Sequence, residues 1–182
     1  MNTATQTRLT TQDPALATGK AAELFAGIRK AAGKVPNAYA GIGTNSPNAL
    51  EAYLAFDAAA RKGTLAAKEQ ETIRLAVSEV AGCDYCLAAH TVLGKRAGLS
   101  PEAVQGARQG TPTGDAKLDA LATFARTVAG TRGTVPAEVV EGVRAAGYTD
   151  AQIVDALHVM TTIHFTNLFN RVNDTVLDFP AA

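Results

Sequence analysis

Apolar residues recur every three or four positions along most of the chain. A period of 3.6 residues puts such positions on one side of an α-helix. No segment shows the strict apolar–polar alternation that is typical of a half-buried β-strand. The pattern therefore predicts an all-α fold. The clearest sets are Leu50, Tyr53, Leu54 and Ala58, then Ile73, Ala76, Val77 and Val80, and then Leu118, Leu121, Ala125 and Val128.

Glycines and prolines divide this pattern into segments of about 10–20 residues, an ordinary length for helices. Glycine readily adopts the left-handed conformation that ends a helix, and proline fits a first turn, where its missing N–H costs nothing. Thr149 and Gln152 have the spacing of a capping box that opens a last long helix. We predict one compact domain of seven or eight helices over residues 14–182, preceded by a flexible N-terminal arm over residues 1–13.

Composition strengthens the helical prediction and narrows the functional classes. The chain has 37 alanines but only 10 phenylalanines and tyrosines, and alanine loses no side-chain entropy in a helix. Its 17 basic and 17 acidic residues cancel, which argues against nucleic acid or an anionic membrane as a partner. The chain has no apolar run of about 18 residues and no signal-peptide pattern. We expect a cytoplasmic protein.

Both cysteines and one of the three histidines lie within eight residues, at Cys83, Cys86 and His90. If Gly82 ends one helix, both thiols occupy the first turn of the next, and spacings of three and four residues put all three side chains on one face. The positive end of a helix dipole stabilises a thiolate, and His90 can exchange its proton. Such a thiolate attacks peroxide to form a sulfenic acid, which a second thiol converts into a disulfide.

The same cluster has three competing interpretations. The cysteines can be small buried apolar residues. Cys83, Cys86 and His90 also supply three zinc ligands, although the sequence indicates no fourth ligand. A thioredoxin-type site needs a preceding strand, which the pattern does not predict.

The cluster and its surroundings resemble the carboxymuconolactone decarboxylase family, specifically its alkylhydroperoxidase D-like, peroxidase-related branch. Glu71, Cys83, Cys86 and His90 match the spacing of that pattern. Further similarity over about residues 20–180 lies in Val35-Pro36-Asn37, Asn45-Ser46-Pro47, Leu75-Ala76-Val77-Ser78, Asn167, Asn170 and Asp178-Phe179-Pro180.

The resemblance implies a cofactor-independent peroxidase with an all-helical fold that assembles as a trimer or hexamer. It implies that Cys86 is the peroxidatic thiol, Cys83 the resolving thiol and His90 the proton shuttle, with Glu71 as its relay partner. The expected partners are a small hydroperoxide, a thiol reductant or dithiol protein, and further copies of the chain.

The position of Glu71 depends on how the chain folds. Along one straight helix it would lie roughly 18 Å from Cys83, so the chain must reverse, for example at Gly82, to bring it near the thiols. Glu79, four residues before Cys83, is the competing carboxylate. For His158 and His164 we expect buried, hydrogen-bonded side chains without a catalytic role.

The leading functional prediction is therefore a hydroperoxide reductase that uses a CxxC dithiol/disulfide cycle. One alternative is a dithiol–disulfide exchange protein or redox sensor. A second is a carboxymuconolactone decarboxylase-like lyase, although proton transfer at a carbon acid needs no second thiol. A third is a helical interaction module stabilised by zinc.

Overall fold

A computed structural model describes residues 7–182, and the regular structure in that range is helical throughout. The all-α prediction is confirmed, but the described range holds nine α-helices instead of seven or eight. The predicted number was too low because some helices are separated by very few residues. Ser46 alone separates the second helix from the third. A 3₁₀ turn at Pro14–Leu16 precedes the helices α1 (Gly19–Ala32), α2 (Asn37–Asn45), α3 (Pro47–Arg61), α4 (Ala67–Ala81), α5 (Asp84–Arg96), α6 (Pro101–Gln109), α7 (Ala116–Thr131), α8 (Ala137–Ala145) and α9 (Asp150–Asn173).

Helix α4 lies at the centre of a single compact domain and packs against α5, α6, α7 and α9. Every residue from Glu69 to Ser78 is buried, so this helix is covered on all sides. The main apolar core includes Ile73 and Val77 from α4, both cysteines, and side chains of α7 and α9. The polar residues of α4 are therefore enclosed by protein, where each must find a partner.

The chain reverses direction at Gly82, as the sequence predicted. Gly82 has the left-handed conformation (φ 62°, ψ 41°), and its N–H donates to the carbonyl oxygen of Glu79 at 3.0 Å. Cys83 is the N-cap of α5. The reversal folds α5 back against α4, which places residues of the two helices side by side.

Helix α9 begins with the predicted capping box, in which Thr149 and Gln152 exchange hydrogen bonds at 3.0 and 3.2 Å. Its Val159 and Ile163 are buried in the core. The expectation that His164 is buried is wrong, because it lies on the exposed side of the helix. His158 is half-buried, hydrogen-bonds to the carbonyl oxygen of Phe56 at 3.0 Å and stacks on that ring.

The flexibility of residues 1–13 stays a prediction, and residues 1–6 lie outside the described range. Within it, the N–H groups of Arg8 and Leu9 donate to the carbonyl and side-chain oxygens of Asn173 at 2.8 and 2.9 Å. Gln12 N–H reaches Thr44 Oγ1 at 3.3 Å. Nowhere in residues 7–182 is a helix long and apolar enough to cross a membrane.

Candidate functional site

The two free thiols meet at the start of α5. Cys83 and Cys86 are only 2% and 3% exposed. The backbone N–H of Cys86 donates to Cys83 Sγ at 3.4 Å, so the Cys83 sulfur caps the helix. This is the position where unpaired N–H groups and the helix dipole favour negative charge. The structure thus places both cysteines as predicted, in and beside the first turn.

The surroundings of the two sulfurs make the cysteines unequal. A hydrogen bond from the Cys86 thiol, helped by the Cys86 N–H, Asn167 and Arg171 and opposed by burial, lowers the pKa of Cys83 to about 7. The same thiol–thiol hydrogen bond, together with burial, raises the pKa of Cys86. The surroundings therefore favour the first ionisation of the pair at Cys83, with the Cys86 thiol as hydrogen-bond donor.

Two carboxamides of α9 lie against the dithiol. Asn170 Nδ2 donates to Cys86 Sγ at 3.3 Å, and Asn167 Nδ2 donates to Ser78 Oγ at 3.1 Å. The Oδ1 atoms of both asparagines are buried without a hydrogen-bond donor in residues 7–182. The family resemblance included these asparagines but assigned them no role. The sequence feature that could have indicated a role is their spacing, because two amides three residues apart lie on one face of a helix.

His90 and Glu71 form a direct pair, with His90 Nδ1 2.7 Å from Glu71 Oε2. Because a carboxylate accepts, Nδ1 carries the proton and Nε2 is left for proton exchange. Glu79 instead pairs with Arg108 Nε at 2.9 Å. The reversal at Gly82 thus brings Glu71 to His90 in spite of their distance in sequence.

A row of buried charges continues from Glu71. Its Oε1 accepts from Arg74 Nη1 at 3.0 Å, and Arg74 Nη2 donates to Asp57 at 3.0 Å. Asp57 also pairs with Arg61 Nε at 2.7 Å. Burial raises the pKa of Glu71, but the His90 and arginine charges outweigh burial, so the pKa lies below its ordinary value. The sequence did not indicate Arg74 and Asp57, because their pairing spans two helices.

His90 lies one turn beyond Cys86 on α5, about 5–6 Å away between Cβ atoms. Within residues 7–182, no hydrogen bond joins His90 to either sulfur. That range also holds no group of three His, Cys, Asp or Glu side chains placed to hold a metal ion. The zinc interpretation of Cys83, Cys86 and His90 therefore has no convergent ligand set in its favour.

A pocket of about 600 Å³ leads to the dithiol from the surface. Cys83 and Asn170 form part of its wall, whereas Cys86 and His90 do not. Two cations and two anions face it, together with the first residues after α9. Its remaining lining residues are Arg8, Gly82, Asp84, Tyr85, Arg171, Asp174, Thr175, Val176 and Leu177.

The C-terminal segment, residues 174–180, is anchored over the start of α5 by Tyr85, the residue before Cys86. The Tyr85 hydroxyl donates to Asp178 Oδ1 at 2.6 Å and accepts from the N–H of Ala38 at 3.2 Å. Phe179 packs edge-on against the Tyr85 ring. Tyr85, one of the two residues between the cysteines, thus holds one wall of the pocket in place, a contact that the sequence did not indicate.

Comparison with known proteins gives a family match over part of the chain and a fold for nearly all of it. Residues 47–127 match the model of the carboxymuconolactone decarboxylase family. No curated protein sequence matches the chain.

Among solved structures, the chain is similar to an alkylhydroperoxidase AhpD core, an uncharacterized peroxidase-related protein from Ralstonia eutropha JMP134. That match has a TM-score of 0.82 and 21% identity and covers 94% of this chain and 92% of that one. An uncharacterized peroxidase-related protein from Silicibacter sp. TM1040 matches with a TM-score of 0.77 and 20% identity, covering 96% and 94%.

A variant of the debrominase Bmp8 in complex with 2,3,4-tribromopyrrole has a TM-score of 0.79 and 17% identity, with 96% of this chain and 93% of that chain covered. Structural matches at 17–21% sequence identity show that these proteins share a fold with this chain. Together with the family match, which includes both cysteines, Glu71 and His90, they confirm the resemblance found in the sequence. The partial family match and the shared fold thus support a similarity to the carboxymuconolactone decarboxylase family, including proteins of its alkylhydroperoxidase D-like branch.

Proposed function

We propose that this protein is a thiol-dependent hydroperoxide reductase that cycles between a Cys83–Cys86 dithiol and a disulfide. The observation that carries the proposal is the Cys83 sulfur at the start of α5, which accepts the backbone N–H of Cys86 and lines a pocket. Its lowered pKa, about 7, adds to this support. One turnover converts a hydroperoxide and the dithiol into an alcohol, water and the disulfide. A small thiol or a dithiol protein then restores the dithiol by exchange.

The His90–Glu71 pair serves this cycle as a proton relay. Its support is the 2.7 Å contact, which orients the imidazole and leaves Nε2 for proton exchange. The buried Arg74 on the other carboxylate oxygen keeps Glu71 ionised. We place the reaction in the cytoplasm, since a reducing compartment keeps both thiols available between turnovers.

The direct test is a thiol titration before and after one equivalent of hydroperoxide. We expect two thiols to be lost per chain, and mass spectrometry to locate one Cys83–Cys86 disulfide. Cys86→Ser and Cys83→Ser should each abolish catalytic turnover while the circular dichroism spectrum stays unchanged. Unchanged turnover in either variant contradicts the dithiol cycle.

The size of the pocket favours an organic substrate, and reductive dehalogenation of such a substrate is a second candidate. A volume of about 600 Å³ fits a small organic molecule better than hydrogen peroxide, and a protein of the same fold binds a bromopyrrole. A dithiol can supply both electrons, giving the dehalogenated product, hydrogen halide and the disulfide. Halide release from a bromopyrrole, with no consumption of hydroperoxide, would favour this candidate over the peroxidase.

The same disulfide measurement distinguishes thiol exchange and lyase chemistry from the peroxidase. A dithiol–disulfide exchange protein or redox sensor would oxidise faster with a protein disulfide than with hydroperoxide. A lyase of the kind that names the family would act on its lactone without oxidising either thiol.

A further inference from the structure

Both sulfurs of the dithiol carry a negative charge at some step of the proposed cycle. One thiolate attacks the hydroperoxide and takes its terminal oxygen, and the alkoxide leaves with the electron pair and is protonated by water. The other sulfur, as a thiolate, then attacks the sulfenic acid, so that the S–S bond forms, the S–O bond breaks and hydroxide leaves. A thiol reductant later attacks one sulfur of the disulfide and releases the other as a thiolate. Each sulfur therefore needs a hydrogen-bond donor, whichever cysteine attacks first.

The donor for Cys83 is the start of α5. The backbone N–H of Cys86 reaches Cys83 Sγ at 3.4 Å, at the positive end of the helix dipole. Cys86 lies inside the first turn, and its own sulfur receives no backbone N–H within residues 7–182. The helix start thus serves only one of the two sulfurs.

The donor for Cys86 comes from α9. Asn170 Nδ2 donates to Cys86 Sγ at 3.3 Å. The residues are 4% and 3% exposed, so water competes little for this contact. The hydrogen bond to Cys83, burial and the Cys83 charge raise the pKa of Cys86, whereas Asn170, followed by Asn167, lowers it.

The Asn170 side chain also carries a cost. Its Oδ1 atom is buried and has no donor in the part of the chain that the structure describes. A buried acceptor without a partner destabilises a fold, whereas a leucine of nearly the same shape would bury no polar group. The stability of α9 therefore does not account for an amide at this position, but a donor for Cys86 does.

Several titratable or charged groups surround Cys86, but apart from Cys83 none of them shares a hydrogen bond with its sulfur within residues 7–182. Arg171 donates to the carbonyl oxygens of Ala81 and Gly82, and the Tyr85 hydroxyl donates to a carboxylate. The groups are Cys83, Tyr85 with Asp178 behind it, His90 with its partner Glu71, and Arg171 across the turn.

We propose that Asn170 is a further catalytic residue, whose amide N–H stabilises the Cys86 thiolate as the helix start stabilises the Cys83 thiolate. This role rests on the proposed dithiol cycle and holds for either order of the two cysteines. The amide touches a reacting sulfur from behind, on the α9 side, and needs no contact with the substrate.

Single-cysteine variants test this role, because each leaves one sulfur to ionise. The rate of reaction with methyl methanethiosulfonate, followed against pH, gives the midpoint of that ionisation. In Cys83→Ser, adding Asn170→Leu should raise the Cys86 midpoint by about one pH unit. In Cys86→Ser, the same substitution should move the Cys83 midpoint by less than about 0.3 pH unit. Asn170→Ala, a smaller side chain, should act in the same direction as Asn170→Leu and replaces it if that variant does not fold.

Thr166→Val is the control for packing, since it removes a buried hydroxyl one turn earlier on α9. It should leave both midpoints within about 0.3 pH unit of their parent variants. Equal movement of the Cys83 and Cys86 midpoints in Asn170→Leu would mean that Asn170 only shapes the turn. An unmoved Cys86 midpoint would mean that the amide does not stabilise the thiolate. Either result overturns the role of Asn170.

The consequence for the reaction is measured with both cysteines present. With one equivalent of hydrogen peroxide, Asn170→Leu should form the Cys83–Cys86 disulfide about ten-fold more slowly near neutral pH, and the difference should shrink at alkaline pH, where Cys86 ionises without help. An unchanged rate near neutral pH contradicts the catalytic role. If the wild-type protein forms no disulfide with hydroperoxide, the proposed function fails instead. The two failures are distinguishable because the midpoints are measured without hydroperoxide.

Discussion

At the scale of single residues, the site contains two pairs of identical residues, two cysteines and two glutamates, and the members of each pair have different surroundings. Cys83 and Cys86 are equivalent in the CxxC motif, but the N-cap position and the direction of the thiol–thiol hydrogen bond put the charge on Cys83. Glu71 and Glu79 are both acidic residues of one helix, but only Glu71 faces His90. Small differences in position thus give the two members of each pair different contacts and, for the cysteines, different pKa values.

The Cys83 thiolate should give the protein a reactive thiol at neutral pH. Because the pKa of Cys83 is lowered to about 7, its reaction rate with methyl methanethiosulfonate should rise with pH around a midpoint near 7 and then level off. An unperturbed thiol would show a midpoint near 8.5. Cys86→Ala removes the main hydrogen-bond donor and should move the midpoint upward. A wild-type midpoint above 8 contradicts the thiolate assignment.

Replacing Glu71 should slow turnover, lower the free energy of unfolding and weaken the dependence of that free energy on pH. Glu71→Gln removes the charge beside His90 and one partner of the buried Arg74, so we expect at least ten-fold slower hydroperoxide turnover. We also expect a loss of about 1–3 kcal/mol in the free energy of unfolding. The lowered pKa of Glu71 means that its carboxylate stabilises the fold above the unfolded pKa near 4.3 and loses that effect as pH falls. The free energy of unfolding of Glu71→Gln should therefore fall less steeply than that of the wild type as the pH is lowered.

Glu79→Gln is the matched control, since Glu79 pairs with Arg108 in a more exposed position. Its turnover should stay within two-fold of the wild type. If Glu79→Gln were the slower variant, the relay assignment would pass to Glu79.

At the scale of elements, the reversal between α4 and α5 assembles the site. Gly82 ends α4, Cys83 caps α5, and the same turn brings Glu71 alongside His90. The Arg171 guanidinium of α9 lies against this turn. One glycine therefore controls both the helix start that holds the thiolate and the packing of α9 on it.

Gly82→Ala should destabilise the protein for two reasons. The left-handed φ of 62° disfavours a side chain, and the added Cβ would lie 2.6 Å from Arg171 Nη1. We expect about 1–2 kcal/mol less stability in chemical denaturation and slower thiol reactions. Gly27→Ala, within α1 and with open space around it, should instead be neutral or stabilising by up to about 1 kcal/mol. Equal effects at both positions would contradict this account of the turn.

At the scale of the whole molecule, we propose the exposed side of α9 as the contact surface of the homo-oligomer that the family resemblance implies. An apolar stripe of about 27 Å runs along it, consisting of Val154, Leu157, Phe165, Leu168 and Val172. Two copies packed antiparallel along α9 would bury this stripe in a two-fold contact of the kind found within a dihedral hexamer.

Leu168→Glu should therefore lower the mass of the protein in solution, because it puts a charge into the centre of this contact. Light scattering after gel filtration measures the change. Leu16→Glu makes the same substitution at an exposed leucine far from α9 in sequence and should leave the mass unchanged. A monomeric wild-type protein, or equal masses for all three chains, would contradict the interface.

The sequence by itself determined the helical class, the helix end at Gly82 and the grouping of both cysteines with His90. These follow from local rules of periodicity, glycine conformation and i, i+3 or i, i+4 spacing. The contact of Glu71 rather than Glu79 with His90, the contacts of Asn170, Tyr85 and Asp178, and the exposure of His164 were decided only by the tertiary structure. Each depends on which faces of distant helices meet, since packing and burial come from contacts between segments far apart in the chain.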